Sequence, residues 1–334
     1  MFRPLIAPLI LALSSTVAFG QAEAPKPLRA GIIGLDTSHV VAFTKALNAE
    51  SPKPGLEGVR VVAAYPGGSP DVESSRTRIE GFTRQLRDEF HVEIVDSIEA
   101  LLEKVDVVLL ESVDGRPHLK QVEPVLKARK PVFVDKPVAG SLADAIKIFK
   151  LAEQYKTPCF SSSSLRYTPS IQALRGDPKF GEVEGCATSG PSPTEEHHPD
   201  LFWYGIHGVE TLFTVMGTGC LSVTRVSTDG TDLVAGIWEG GRIGTFRGIR
   251  KGKAEYTALA FGSKDVVFAR GAGGYEPLLV EVCQFFRTGQ APVSASETIE
   301  IFAFMEAADE SKRRGGTPVT LDSVIAAAGG DASR

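Results

Sequence analysis

The sequence predicts an α/β chain in which a parallel sheet wrapped by helices is followed by an α+β unit with a mainly antiparallel sheet. Three observations carry that expectation. In the first half, apolar runs of strand length alternate with helical periodicity. From about Glu182 the strands follow one another with few helices between them, and the turn signals Asp229-Gly230 and Gly240-Gly241 separate neighbours. The length of 334 residues is about twice the usual domain size, which favours two domains.

In the first half, strands are expected at Arg29 to Ile33, Val59 to Tyr65, Val92 to Val95, Val105 to Leu110, Val132 to Val134 and Cys159 to Ser161. Asp96-Ser97-Ile98-Glu99 and Ser141-Leu142-Ala143-Asp144 each place a capping residue three before an acid, so helices should start there. In the second half, strands are expected at Val183 to Thr188, Ser222 to Thr228, Asp232 to Trp238, Arg242 to Gly248, Glu255 to Phe261 and Asp265 to Ala269. Helices are expected from His207 to Met216, Glu276 to Phe286 and Ser296 to Lys312, the last behind a capping box of Ser294 and Glu297.

The first twenty residues differ from the rest. Arg3 is their only charge, an apolar run extends from Leu5 to Phe19, and Ala18-Phe19-Gly20 offers small residues before a cleavage point. The run is interrupted by Ser14, Ser15 and Thr16 and is shorter than the roughly 20 apolar residues of a span, so it reads as a secretory signal. The expected organisation is a signal peptide over 1–20, a linker over 21–28, a first domain over 29–150 and a second over 151–330. The expected location is the periplasm or the exterior. A net charge of −5 provides no bulk positive field for nucleic acid or an anionic membrane, and a small molecule is the default partner. Cys159, Cys186, Cys220 and Cys283 have no metal-binding spacing; export would permit a disulfide, but their settings suit small core hydrophobes.

Candidate chemistry gathers at strand ends, where open α/β sheets bind ligands. After the first strand comes Gly31-Ile-Ile-Gly34-Leu-Asp36-Thr37-Ser38-His39. A dinucleotide site places G-x-G-x-x-G here; Gly34 fills the first place, and Asp36 and His39 stand in the other two. A carboxylate about 4 Å from a phosphate charge is repelled by about 4 kcal/mol at an effective dielectric of roughly 20. Asp36 is therefore read as an N-cap whose oxygen is spent on backbone N–H groups, leaving Thr37, Ser38 and the helix end as anion donors. The second strand ends in Tyr65-Pro66-Gly67-Gly68 where an NAD site usually has an acid, and Asp71 comes too late to replace it. His118, at a helix start after Glu111-Ser-Val-Asp114-Gly-Arg116-Pro117, is either a site residue or structural. Asp135-Lys136-Pro137 ends a buried strand, and a desolvated lysine there suits acid/base work on a hydroxyl; the bland reading is a surface ion pair.

The run from Val92 to Leu165 resembles the glucose-fructose oxidoreductase and inositol dehydrogenase superfamily (Gfo/Idh/MocA), on Asp135-Lys136-Pro137, Pro117-His118, Ala128-Arg-Lys-Pro131 and Arg166-Tyr167-Thr168-Pro169. The resemblance implies a Rossmann-like parallel sheet and a C-terminal α+β domain with a large open sheet. It also implies NAD or NADP as cofactor, a sugar or polyol as substrate, and a homo-oligomer. It makes Lys136 the acid/base residue and places Gly34, Asp36, Thr37, Ser38, His39, His118, Asp135, Lys136 and Pro137 around the cofactor. Arg166, Tyr167, Trp203, Tyr204 and His207 fall on the substrate side, with His207 catalytic beside Lys136 and Trp203 where the family has an Asp.

Two other readings stay open at this stage. One is a non-catalytic glycan- or polyol-binding protein with a decayed nucleotide site. The other is a cofactor- or metal-assisted glycan lyase or hydrolase using His197, His198 and His207. Glu196 and Asp200 could add oxygen ligands, but no His-based metal spacing is present and no metal site is expected.

Overall fold

The computed structural model describes residues 26–174, 176–271 and 274–331; the signal reading over 1–20 lies outside them. The first domain runs β1 (Leu28–Ile33), α1 (His39–Leu47), β2 (Val59–Tyr65), α2 (Glu73–Arg76), α3 (Ile79–Phe90), β3 (Glu93–Ile94), α4 (Ile98–Leu102), β4 (Val107–Leu110), α5 (His118–Lys127), β5 (Val132–Asp135), α6 (Leu142–Tyr155) and β6 (Cys159–Ser162). The six strands form one parallel sheet in the order β3-β2-β1-β4-β5-β6. The central strands are buried on both faces, as continuous apolar runs such as Val107-Val-Leu-Leu110 require. Ser97 and Ser141 cap α4 and α6 with their hydroxyls; at the first of these starts the cap is Ser97 rather than Asp96.

The second domain continues with α7 (Pro169–Gln172), β7 (Val183–Pro191), α8 (Asp200–Trp203), α9 (Gly205–Met216), β8 (Cys220–Thr228), β9 (Thr231–Trp238), β10 (Ile243–Ile249), β11 (Thr257–Gly262) and β12 (Val266–Arg270). After these come α10 (Glu276–Thr288), α11 (Ala295–Arg313), β13 (Val319–Thr320) and α12 (Leu321–Ala327). Its seven-stranded sheet has the order β12-β11-β7-β10-β9-β8-β13. All pairs are antiparallel except β7 with β10, which lie parallel. One face packs on α9 and α11, while Leu233, Ile237, Ile243 and Phe268 are exposed on the other.

Two boundaries differ from expectation. β6 pairs with β5, so the first domain extends past residue 150 to Ser162, and Leu28 is already in β1 rather than in the linker. The chain also returns to the first domain: Leu278, Val282 and Phe285 of α10 join the core that holds Phe133 and Phe160. The Phe160 and Phe285 rings meet at 4.7 Å. Cys159, Cys186 and Cys283 are free thiols, the first partly buried and the other two buried, and the buried Cys220 has its Sγ 3.7 Å from Ser222 O.

Candidate active site

The turn after β1 is set by Gly34, at φ +87°, where an added Cβ would lie 2.5 Å from the backbone nitrogen of Ser112. Only glycine fits there. The next residues are tied to the end of β2, through Gly34 N–H to Tyr65 O at 3.0 Å and Leu35 N–H to Pro66 O at 2.7 Å. Asp36 is fully buried. Its Oδ2 accepts from Ser75 Oγ at 2.6 Å and its Oδ1 from Val113 N–H at 2.9 Å. Burial pushes its pKa up, and these hydrogen bonds oppose the shift. Asp36 is therefore not the helix cap the sequence suggested: α1 begins at His39, and Ser38 before it makes no side-chain cap. The carboxylate is spent elsewhere, on partners far away in sequence.

The end of β4 feeds a second polar knot. Asp114 accepts from Ser69 Oγ at 2.6 Å and from Arg116 N–H at 2.8 Å, and lies 2.8 Å from His198 Nε2. Burial works against its charge, but these bonds and the Arg116 guanidinium hold its carboxyl well below the usual range. Arg116 also grips Asp71 through two contacts of 2.9 Å, so Asp71 is not free to serve a ribose. His118 is fully buried, with Nε2 2.9 Å from Ser112 O and Nδ1 3.3 Å from Val138 O. The ring's single N–H donates to one of these carbonyls, and its position between Ser112 and Val138 makes His118 a brace between the loops after β4 and β5.

At the end of β5, Asp135 and Lys136 are 1% and 5% exposed, so they are not a surface pair. Lys136 Nζ lies 3.9 Å from Asp135 Oδ2 and 5.4 Å from the centroid of the Tyr204 ring. The Lys136-Pro137 bond is cis. His39 Nδ1 stands 3.1 Å from Asp135 Oδ2 and 3.5 Å from Glu111 Oε2. Burial opposes its charge, yet Asp135 and Glu111 push the His39 pKa up to about 10. Burial pushes Glu111 up; for Asp135 burial acts the same way but is outweighed by His39 and Lys136, which hold it down.

From the second domain, α9 brings in His207, whose Nδ1 lies 2.7 Å from Ser163 Oγ. Ser163 Oγ also accepts from Leu165 N–H at 3.2 Å, which fixes the hydroxyl beside the ring. Burial and the Lys136 charge hold the His207 pKa well below its ordinary value, so the ring is neutral.

Thr37, Ser38, His39, Lys136, Tyr204 and His207 line one cavity of about 490 Å³. Arg78, Tyr256 and Tyr275 also line it, and nothing in their local sequence marks them as site residues. Other expected residues lie elsewhere. Arg166 pairs with Glu210 at 2.9 Å and Glu297 at 2.7 Å, and with Tyr167 it borders a separate depression. Trp203 packs in a small apolar cluster with Val72 and Val113, its ring 4.9 Å from that of His198. The residues considered for a metal are dispersed: His198 on Asp114, Asp200 on Arg225 and Lys312, and His207 on Ser163. His197 remains near Glu195 and Glu196.

Residues 28–162 match the model of the Gfo/Idh/MocA oxidoreductase family, described by its NAD-binding Rossmann fold. The matched stretch is the first domain, from β1 to the end of β6. Solved structures extend the likeness over both domains. A probable dehydrogenase from Thermotoga maritima superposes with a TM-score of 0.73 at 19% identity, covering 89% of this chain and 100% of its own. An oxidoreductase from Agrobacterium radiobacter, solved with NAD+, L-tartaric acid and magnesium, gives 0.72 at 16% identity, covering 90% and 100%. Scyllo-inositol dehydrogenase from Lactobacillus casei, with NAD(H) and scyllo-inositol bound, gives 0.72 at 14% identity, covering 89% and 99%. At such identities the likeness carries the fold. No curated protein matches the chain.

The family's cofactor can be tested against the residues present. The Asp36 charge is buried and bonded instead of facing the cavity, and Thr37, Ser38, the α1 end and Arg78 supply donors for an anion. The donor set fits an NAD-type diphosphate.

Proposed function

We propose that the chain is an exported NAD(P)-dependent oxidoreductase acting on a sugar or polyol hydroxyl or carbonyl. One observation carries the reading: Lys136, Tyr204 and His207 share a cavity with the end of α1, while the acid that would repel a diphosphate is turned away and engaged by hydrogen bonds from Ser75 and Val113. Thr37, Ser38 and Arg78 would hold the cofactor, and the bound nicotinamide would supply hydride chemistry. In reduction Lys136, as the ammonium, gives its proton to the carbonyl oxygen; in oxidation its neutral amine takes the proton from the substrate hydroxyl. His207, neutral and fixed by Ser163, orients a hydroxyl without competing for that proton. Tyr204 places its ring by the ammonium group and confines it.

Further support comes from the relatives named above, one of which was solved with scyllo-inositol. Export rests on the apolar run from Leu5 to Phe19 behind Arg3. Self-association rests on the exposed Leu233, Ile237, Ile243 and Phe268 of the open sheet face. Calorimetric titration of the mature protein with NAD+ and NADP+ tests the core of the proposal. Saturable heat with one of them is expected; none with either at millimolar concentration refutes it and favours a binding protein without redox activity.

A further inference from the structure

We propose that His39, Glu111 and Asp135 form a binding site for one divalent transition-metal ion, held by an imidazole nitrogen and two carboxylates. The proposal goes beyond the hydride-transfer reading and can be measured without cofactor or substrate, so the two can fail separately.

The three side chains arrive from the start of α1, just past the end of β4 and the end of β5. Each offers one ligand atom, and these atoms all lie within 4.8 Å of one another. Bonds of about 2.0–2.2 Å to a common ion would set its ligand atoms roughly 3–4.4 Å apart. The observed 3.1 Å and 3.5 Å from His39 Nδ1 to the two carboxylates fall in that range.

The independent observation is that these atoms lack aligned partners. His39 Nδ1, both oxygens of Glu111 and Asp135 Oδ2 are buried and make no hydrogen bond, although their residues are 8%, 0% and 1% exposed. Buried carboxylates ordinarily collect donors. Each unmet group keeps its desolvation penalty. An imidazolium bridging the acids is the competing arrangement, but a single N–H can satisfy only one oxygen well. A cation among the three groups would serve all of them.

The surroundings support such an ion. The His39 ring is stacked on Phe43 at 5.4 Å and meets the Tyr275 ring edge-on at 4.5 Å, which fixes its Nδ1 toward the acids. The positive end of α1 disfavours a cation, but it counts for only about half a charge against two carboxylates. One imidazole and two carboxylates without a thiolate suit zinc, manganese or iron(II). Because His39 lines the cavity that holds Lys136 and His207, an open coordination position there could polarise a substrate oxygen.

The experiment strips the full chain of metal and titrates it with Zn²⁺ by calorimetry in the absence of nicotinamide. One ion per chain at micromolar affinity or tighter is expected. Folded Glu111→Gln and Asp135→Asn variants should lose more than the about 10–100-fold that outer-shell changes cost. In case neither variant folds, wild-type chain loaded with Mn²⁺ provides a second readout: pulsed paramagnetic resonance should register one directly bound imidazole nitrogen. The paired change Glu195→Gln and His197→Ala should leave uptake intact. No uptake by wild type, unchanged uptake in the two folded variants, absence of the nitrogen signal, or loss of uptake in the paired variant overturns the assignment.

Discussion

Two groups of buried acids stand near each other at the carboxyl ends of the first sheet, and the protein treats them differently. Asp36 and Asp114 are saturated: each accepts from a serine hydroxyl and a backbone N–H, and Asp114 adds a histidine and a guanidinium. Glu111 and Asp135 have His39 and Lys136 near them, yet Asp135 Oδ2 and both Glu111 oxygens lack aligned hydrogen bonds. The difference separates scaffold from site. Saturated acids knit loops together, whereas acids that face cations and a cavity without being satisfied keep the capacity to engage a ligand.

The contrast can be broken by substitution, and the largest effect is expected on the unsaturated side. Lys136→Met should lower turnover by about 10²–10⁴-fold with cofactor affinity retained, read from steady-state kinetics beside calorimetry. Equal loss of binding and turnover would return Lys136 to a structural role. On the saturated side, Asp36→Ala should cost about 1–3 kcal/mol in denaturant unfolding, since Val113 N–H and Ser75 Oγ lose their acceptor. An unaffected midpoint would show that the knot is not structural.

Asp114 sharpens the comparison through pH. Its native pKa is depressed, so its contribution to stability is complete above the unfolded value of about 3.9 and is lost as pH falls toward the native one. Thermal unfolding of Asp114→Asn should be less pH-dependent below about pH 5 than that of the wild type. The smallest effect is expected at His207. Because its pKa lies well below the ordinary value, turnover between about pH 6 and 8 should show no histidine ionisation step attributable to it, and His207→Asn should leave the shape of that profile unchanged while weakening substrate binding.

Sequence reading reached the fold because its signals are local: apolar runs gave the central strands, and the hydroxyls of Ser97, Ser141 and Ser294 cap helices. Asp135-Lys136-Pro137 was legible for the same reason, since motif and strand end coincide. The cap expected of Asp36 is not formed, because its partners lie 39 and 77 residues away and sequence neighbours offer only a local cap. His39 was placed at the loop, while its meeting with Glu111 and Asp135 depends on three strand ends converging. Arg166 and Tyr167 open a motif, yet Glu210 and Glu297 absorb the guanidinium. Such placements follow from sheet order, which residue spacing does not encode.

The return of α10 onto the first sheet has a consequence in time. Phe285 closes over Phe160, so the nucleotide-binding half stays partly uncovered until almost the whole polypeptide has been made. A half that cannot finish its interior during synthesis reaches its final packing only together with the domain that follows it.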